Sequence, residues 1–423
     1  MINQLVLNKP NNYQAIKAHP LWAMVAAFGC YFCVYGFRKP FTAGLYLDHT
    51  WGEIHWKSVL ISAQIAGYML SKWCGIFFVS SITRENRAKA ILLSIAVAQL
   101  ALFGFGLCPA SWNFVFLLLN GLPLGMIFGY IQGYLEGKRT AELLIASLAS
   151  SFILADGVAK TVGKWLLEQG IVESWMPFMA GLVYGVPFLF FLWMLIQIPQ
   201  PTAADIADRA VREPMTMQDR MSLLKKLGPG ILGITLLYLF ASLLRGIRSD
   251  FAPEIWKQLG YAGNAAIFSQ SEAWVMAGIL IINSSLVLIK KNKQAFFISL
   301  FCIQIGYVLL VLSSNLGVEY LNGFWLIVLT GFGIYMPYIT ITTAVFERMI
   351  AITREKANIG FLMYIVDSIG YLGYNLLLLS YSFLFPNWNI PQLFFTWTYN
   401  LGWIGLFVSL GTWFYFSKKL ATD

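Results

Sequence analysis

Charge is scarce in this chain. Only 12% of its 423 residues are Asp, Glu, Lys or Arg, against roughly 25% in a soluble globular protein. Histidine is scarcer still: His19, His49 and His55 all fall in polar ends or loops, which leaves no histidine cluster inside an apolar segment. The five cysteines lie in or at the ends of apolar blocks. Cys30 and Cys33 form a CxxC, but with no second ligand pair it reads as buried core rather than metal or redox chemistry. No histidine, cysteine or paired-carboxylate arrangement makes a recognisable catalytic set, so the expectation is no enzyme, no cofactor and no metal. Residues 1–19 are largely polar and the first apolar block is full length, so no cleavable signal peptide is expected.

What the chain has instead is hydrophobic side chains, 58% of the total, with a mean hydropathy of +0.67. They fall into blocks of roughly 17–25 residues, the length a helix needs to cross about 30 Å of hydrocarbon. The first set of spans is predicted at 20–46, 57–79, 88–107, 111–135, 141–166 and 175–198. The second set is predicted at 227–250, 267–289, 294–313, 322–347, 357–383 and 392–416. In lipid only a helix satisfies its own backbone segment by segment. The fold class expected is an all-α membrane protein with about twelve spanning helices.

Lys and Arg mark one side of the predicted topology. That side holds Lys9 and Lys17, then Arg84, Arg87 and Lys89, then Lys138 and Arg139. Arg209, Arg212, Arg220, Lys225, Lys226, Lys290, Lys291 and Lys293 follow, and then Arg348, Arg354, Lys356, Lys418 and Lys419. The opposite connections hold little beyond Lys57 and Lys257. Both termini are therefore predicted cytoplasmic, and the net charge of +9 reflects this bias rather than a nucleic-acid partner.

The longest polar stretch, 199–226, divides the spans six and six. This predicts an N-terminal bundle over 1–198, a cytoplasmic linker over 199–226 and a C-terminal bundle over 227–423. Two six-helix halves related by an axis along the membrane normal is the major facilitator superfamily arrangement. A trace of repeat accompanies it: Tyr31 precedes Arg38 by seven residues, and Tyr238 precedes Arg245 by the same interval, each in the first helix of its half. Seven residues is two helical turns, so each pair is expected to share a face.

A charge at the centre of a span costs at least roughly 2.5–3.5 kcal/mol, so each needs a reason. Asp156 and Lys160 are one turn apart and read as a structural pair, as does Asp250 with a basic partner. Arg248, Lys164 and Glu136 read as snorkelling at span ends. Arg38, Lys72 and Arg245 suit a solute site best, because guanidinium forks grip phosphate or carboxylate bidentately. A solute of charge about −1.5 to −2 matches them. Tyr31, Tyr35, Tyr68, Tyr134, Tyr335 and Tyr371 accompany them, with Tyr68 one turn before Lys72 and Tyr31 and Tyr35 expected on or near the Arg38 face.

Five stretches resemble the organophosphate:phosphate antiporter family of the major facilitator superfamily. They are Tyr31-Phe-Cys-Val-Tyr35-Gly-Phe-Arg38-Lys39, Gly67-Tyr68-Met-Leu-Ser71-Lys72, and Leu243-Leu244-Arg245 with Asp250 five residues on. Gly333-Ile-Tyr335-Met-Pro337 and Gly370-Tyr371-Leu372-Gly373 complete the set. The resemblance implies that Arg38 and Arg245 clamp a phosphoryl group from the two halves and that Lys72 adds charge. Tyr31, Tyr35, Tyr68, Tyr335 and Tyr371 would line the cavity, and Glu272 would pair with the basic groups. Where the family carries a histidine in its fifth helix, Asp156 stands here. The loop 80–87 lacks the aspartate of the superfamily's gating motif, and Glu136, Asp367 and Arg248 are additional.

The expectation is therefore a secondary transporter exchanging an organic phosphate for inorganic phosphate, as a monomer in a bacterial inner membrane. Two alternatives stand beside it. One is proton-coupled movement of another anion or a zwitterion, with Asp156, Glu272, Asp367 and Asp250 as coupling or charge-balancing groups. The other is a substrate sensor on a transporter fold.

Overall fold

Apolar blocks of spanning length, free to satisfy their backbone only internally, become twelve long helices among the described residues of the computed structural model. It describes residues 19–52, 54–136, 138, 141–200, 217–353, 359–384 and 389–422. The helices are α1 (Pro20–Gly36), α2 (Trp56–Ser81), α3 (Arg84–Leu107), α4 (Ala110–Leu135), α5 (Ala141–Glu168) and α6 (Met176–Ile196). The second six are α7 (Met217–Asp250), α8 (Ile267–Val287), α9 (Asn292–Tyr320), α10 (Gly323–Thr353), α11 (Ile359–Leu384) and α12 (Ile390–Thr422).

Eight of these are long and apolar enough to cross a membrane by length and composition, and α1 is a shorter apolar helix. The other three, α2, α5 and α8, carry Lys57, Gln64 and Lys72, then Asp156 and Lys160, then Glu272 and Asn283. Their lower hydropathy has a physical cause. α5 packs against α8, and α2 against α11, across the seam between the first six helices and the last six. A helix that faces the other half rather than lipid can hold polar side chains on that face.

Within the first half α1 packs on α5 and α6, and α4 on α2 and α3. Within the second, α7 packs on α10, α11 and α12, and α9 on α10 and α12. An even number of crossings brings both ends of the described chain to one side, labelled the inner end after the orientation predicted from the basic residues. The α1–α2 and α7–α8 connections lie at the other, the outer end. Arg84, Arg87, Lys89, Lys138, Arg220, Lys225, Lys226, Lys290, Lys291, Lys293, Arg348, Lys418 and Lys419 all belong to the inner end. Lys9, Lys17, Arg139, Arg209, Arg212, Arg354 and Lys356 lie outside the described residues.

Four local features differ from the sequence expectations. The first helix ends at Gly36 rather than 46, because Pro40 has no N–H to continue it; a 3-10 turn, Pro40–Ala43, follows. The connection to α2 contains a small antiparallel hairpin, β1 (Thr50–Trp51) and β2 (Ile54–His55), turned through Gly52 at φ +59°. Of the predicted linker 199–226, residues 201–216 lie outside the described residues, and 217–226 form the first turns of α7. Finally, a π-helical turn, Ile341–Val345, interrupts α10 just after Pro337.

Candidate functional site

Arg38 sits on the joint that Pro40 creates. Because α1 stops two residues earlier, the carbonyls of Phe37 and Arg38 need partners from outside the helix. Two side-chain amides supply them. Asn120 of α4 donates to the Phe37 carbonyl at 3.1 Å, and Gln64 of α2 donates to the Arg38 carbonyl at 2.9 Å. Gln64 also donates to Asn120 at 2.8 Å, and Asn120 donates to the Ala98 carbonyl of α3 at 3.1 Å. Both amides are buried, at 3% and 0% exposure. The turn that carries Arg38 is thus tied to three other helices.

The Arg38 guanidinium lies over the Tyr68 ring, 3.8 Å from its centroid, with Tyr35 at 5.9 Å. Arg245, by contrast, is inside a regular helix and lies 4.8 Å from the Tyr338 ring and 5.9 Å from Tyr371. Tyr371 joins the two sides. Its ring is 5.3 Å from that of Tyr68, and the Lys72 ammonium is 4.7 Å from it. Cation–π contacts of this kind hold a cation without neutralising it.

Ion pairing separates these cations from the rest of the interior. Lys39 pairs with Asp250, Lys160 with Asp156, Arg248 with Glu272 and Lys72 with Asp367. Lys57 pairs with Glu254 at 2.7 Å. Among the described cations deep in the helix interior, only Arg38 and Arg245 have no carboxylate partner, and the Nε of each has no hydrogen-bond acceptor. Unpaired charge in a low-dielectric interior is costly.

Three of these pairs, Lys39–Asp250, Lys57–Glu254 and Lys72–Asp367, cross between the first six helices and the last six. Ser249 of α7 sits at the middle of one group: its hydroxyl donates to Asp156 at 2.9 Å and accepts from Lys39 and Lys160, each at 3.3 Å. Tyr374 donates to the second oxygen of Asp250 at 3.0 Å. Lys57 and Glu254 close the outermost layer. About four turns further in along α2, Lys72 and Asp367 form a second bridge between halves, with Tyr238 donating to Asp367 at 2.9 Å.

The residues singled out by sequence therefore fall into two groups. Arg38, Arg245, Tyr68, Tyr371 and Lys72 come together directly. Tyr31 and Tyr35 stack edge to face at 5.6 Å, with Tyr35 reaching Arg38. Tyr335 lies beside Arg248, 5.8 Å away, and against Phe152 at 6.2 Å. Asp156, Glu272, Asp367 and Asp250 are all in ion pairs.

Two expectations change. Arg248 is not a snorkelling residue: it is buried and held by Glu272. Arg38 does not share a helical face with Tyr31, because α1 ends before it, although the same reading stands for Tyr238 and Arg245 in α7. Lys164 is half-buried beside Glu168 at 4.0 Å, and Glu136 accepts from Gln132 at 3.2 Å. Tyr338, which stacks on Tyr238 at 4.7 Å, was not singled out. Its signal was present, since it lies three residues from Tyr335 on one face of α10. Gln64 and Asn120 carried no such signal. Among the described residues no group of three or more His, Cys, Asp or Glu side chains is placed to hold a metal ion.

Comparison with known proteins agrees with this architecture. The crystal structure of a D-xylose-proton symporter superposes with a TM-score of 0.60, covering 94% of this chain and 97% of that one at 14% identity. That likeness establishes a major facilitator superfamily-like fold. No curated protein sequence matches the chain. A family profile does match, over residues 40–419. With nearly the whole chain inside that match, the protein belongs to the family described as a family of unknown function, DUF5690.

Proposed function

We propose that this protein is an alternating-access secondary transporter of a small phosphate-bearing organic anion, working by exchange with inorganic phosphate. The observation that carries this reading is the pair of arginines without carboxylate partners, one from each half, beside a shared tyrosine. A phosphate monoester near neutral pH has a charge of about −1.5 to −2, which matches two guanidinium groups. The likeness of five local stretches to the organophosphate:phosphate antiporters supports the same class. Lys72 stands close enough to exchange Asp367 for the bound anion, with Tyr31, Tyr35, Tyr68, Tyr335 and Tyr371 lining the cavity.

In this reading the anion draws the two halves together and lowers the barrier to reorientation. The empty carrier, with two like charges facing one cavity, reorients slowly, which gives exchange rather than net flow. The working units are the bundles 1–198 and 227–423 joined by 199–226. The chain functions as a monomer in a bacterial inner membrane with both termini in the cytoplasm.

Phosphate-loaded proteoliposomes test this. Arg38→Lys and Arg245→Lys each remove a bidentate contact of about 1.5–3 kcal/mol, and each is expected to lower exchange at limiting substrate by tenfold or more. Exchange equal to wild type in both variants would overturn the reading. Thermal stabilisation by phosphate with no flux in wild type would instead identify a sensor.

A further inference from the structure

Five carboxylates lie among the ion pairs of the interior, and four have both oxygens engaged. Asp250 is held by Lys39 and Tyr374, Asp156 by Lys160 and Ser249, and Asp367 by Lys72 and Tyr238. Glu254 receives Lys57 on both oxygens, at 2.7 and 2.9 Å. Glu272 differs. Its Oε1 holds Arg248, but its Oε2 is buried with no hydrogen-bond partner. The residue is only 6% exposed. The Nε of Arg248 is likewise without an acceptor.

Glu272 lines a small cavity with Lys160, Arg248, Ser271 and Gly157. That cavity is mixed, with Ala252, Ile255, Trp256, Phe268 and Ile327 forming its apolar part. The groups that face it are Arg248 from α7, Asp156 and Lys160 from α5, and Tyr335 from α10. Position matters as well. A Cβ placed on Gly157 would meet the Glu272 side chain at 2.7 Å and the Phe268 carbonyl at 2.6 Å. Glu272 therefore presses on α5 at the seam where the two halves meet.

We infer that Glu272 is a proton-binding site that couples proton movement to the transport cycle. A buried carboxylate with one oxygen in an ion pair and the other without a hydrogen-bond partner accepts a proton on the unpartnered oxygen. The neutral acid then attracts Arg248 only as a hydrogen-bond acceptor. Arg248 is one turn beyond Arg245 on α7, so loosening it adds a third cation beside the anion cavity. Proton and anion then favour each other's binding, and linkage makes the effect reciprocal. The site of the proton is independent of the solute; its coupling to an anion rests on the function proposed above.

Infrared difference spectroscopy of the full-length protein between acidic and alkaline buffer, with no solute present, tests the site itself. The expected result is a buried carboxylic-acid carbonyl band that is lost in Glu272→Gln and kept in Asp156→Asn and Asp367→Asn. No such band in wild type, or its loss in either aspartate variant, would overturn the inference. Should Glu272→Gln not be recovered folded, persistence of the band in both aspartate variants supports the assignment. Coupling is read separately, in phosphate-loaded proteoliposomes exchanging for labelled phosphate under an imposed pH gradient. Inward-acid gradients are expected to raise uptake in wild type and to have no effect in Glu272→Gln. Equal gradient dependence in the two proteins would defeat the coupling. Failure of phosphate to bind at all overturns the anion reading and the coupling while leaving the infrared result standing.

Discussion

Gln64 and Asn120 do for Arg38 what the helix backbone does for Arg245: they occupy the carbonyls around it and so fix its direction. Replacing Gln64 with Leu removes the donor and leaves the Arg38 carbonyl buried without a partner, at about 1–3 kcal/mol per unsatisfied group. Michaelis constants for phosphate exchange are expected to rise on the order of tenfold in Gln64→Leu, with the maximal rate changed much less. A fall in maximal rate at unchanged Michaelis constant would show that the amide does not position the arginine.

The arginines themselves were legible in the sequence because a charge inside an apolar block has a recognisable cost. Their lack of partners was not, since pairing is a tertiary property: Lys72 and Asp367 are 295 residues apart. For Asp367→Asn, which frees Lys72 to face the anion, tighter phosphate binding and slower turnover are expected. Isothermal titration and exchange rates measure the two effects.

At the scale of elements, α2 and α4 approach closely enough to set the frame of the site. A Cβ at Gly67 would meet the Leu118 carbonyl at 2.1 Å, and one at Gly121 the Gln64 carbonyl at 2.3 Å. Both obstacles are backbone, which cannot swing aside. Gly121→Ala is therefore expected to destabilise by about 1–3 kcal/mol, seen as a lower thermal midpoint in detergent. An unchanged midpoint would mean that the two helices separate freely.

Hydropathy placed these helices well but their ends less so. Phe41 to Leu47 is apolar, so hydropathy carried the first span past its end, although Pro40 marked the break. The first turns of α7 are polar and read as linker, because helical continuity there does not depend on lipid. The hairpin between α1 and α2 has strands of two residues each, too short for an alternating pattern to register.

For the molecule as a whole, the bridges between halves gather toward the outer end, so the described conformation is closed there. Lys57 and Glu254 form its outermost bridge, with the lysine only 2% exposed. Breaking one partner of a buried pair costs about 3–5 kcal/mol, enough to change which conformation dominates. Lys57→Glu is expected to shift spin-label distances across the outer seam toward the open state, and Glu254→Lys in the same chain to bring them back. Identical distance distributions in all three proteins would show that the bridge holds nothing closed.

One atom in that arrangement has no spare valence. The Ser249 hydroxyl gives its hydrogen to Asp156 and offers its two lone pairs to Lys39 and Lys160. Substitution at this position is accordingly expected to be narrow. Threonine can reproduce all three bonds, whereas alanine removes one bond from each ammonium and leaves Asp156 Oδ1 without its donor, and cysteine is too long and too weak an acceptor. Sequences across the family should show serine or threonine at 249 wherever the aspartate and both lysines are retained, and should vary freely there only where the whole quartet has been exchanged together.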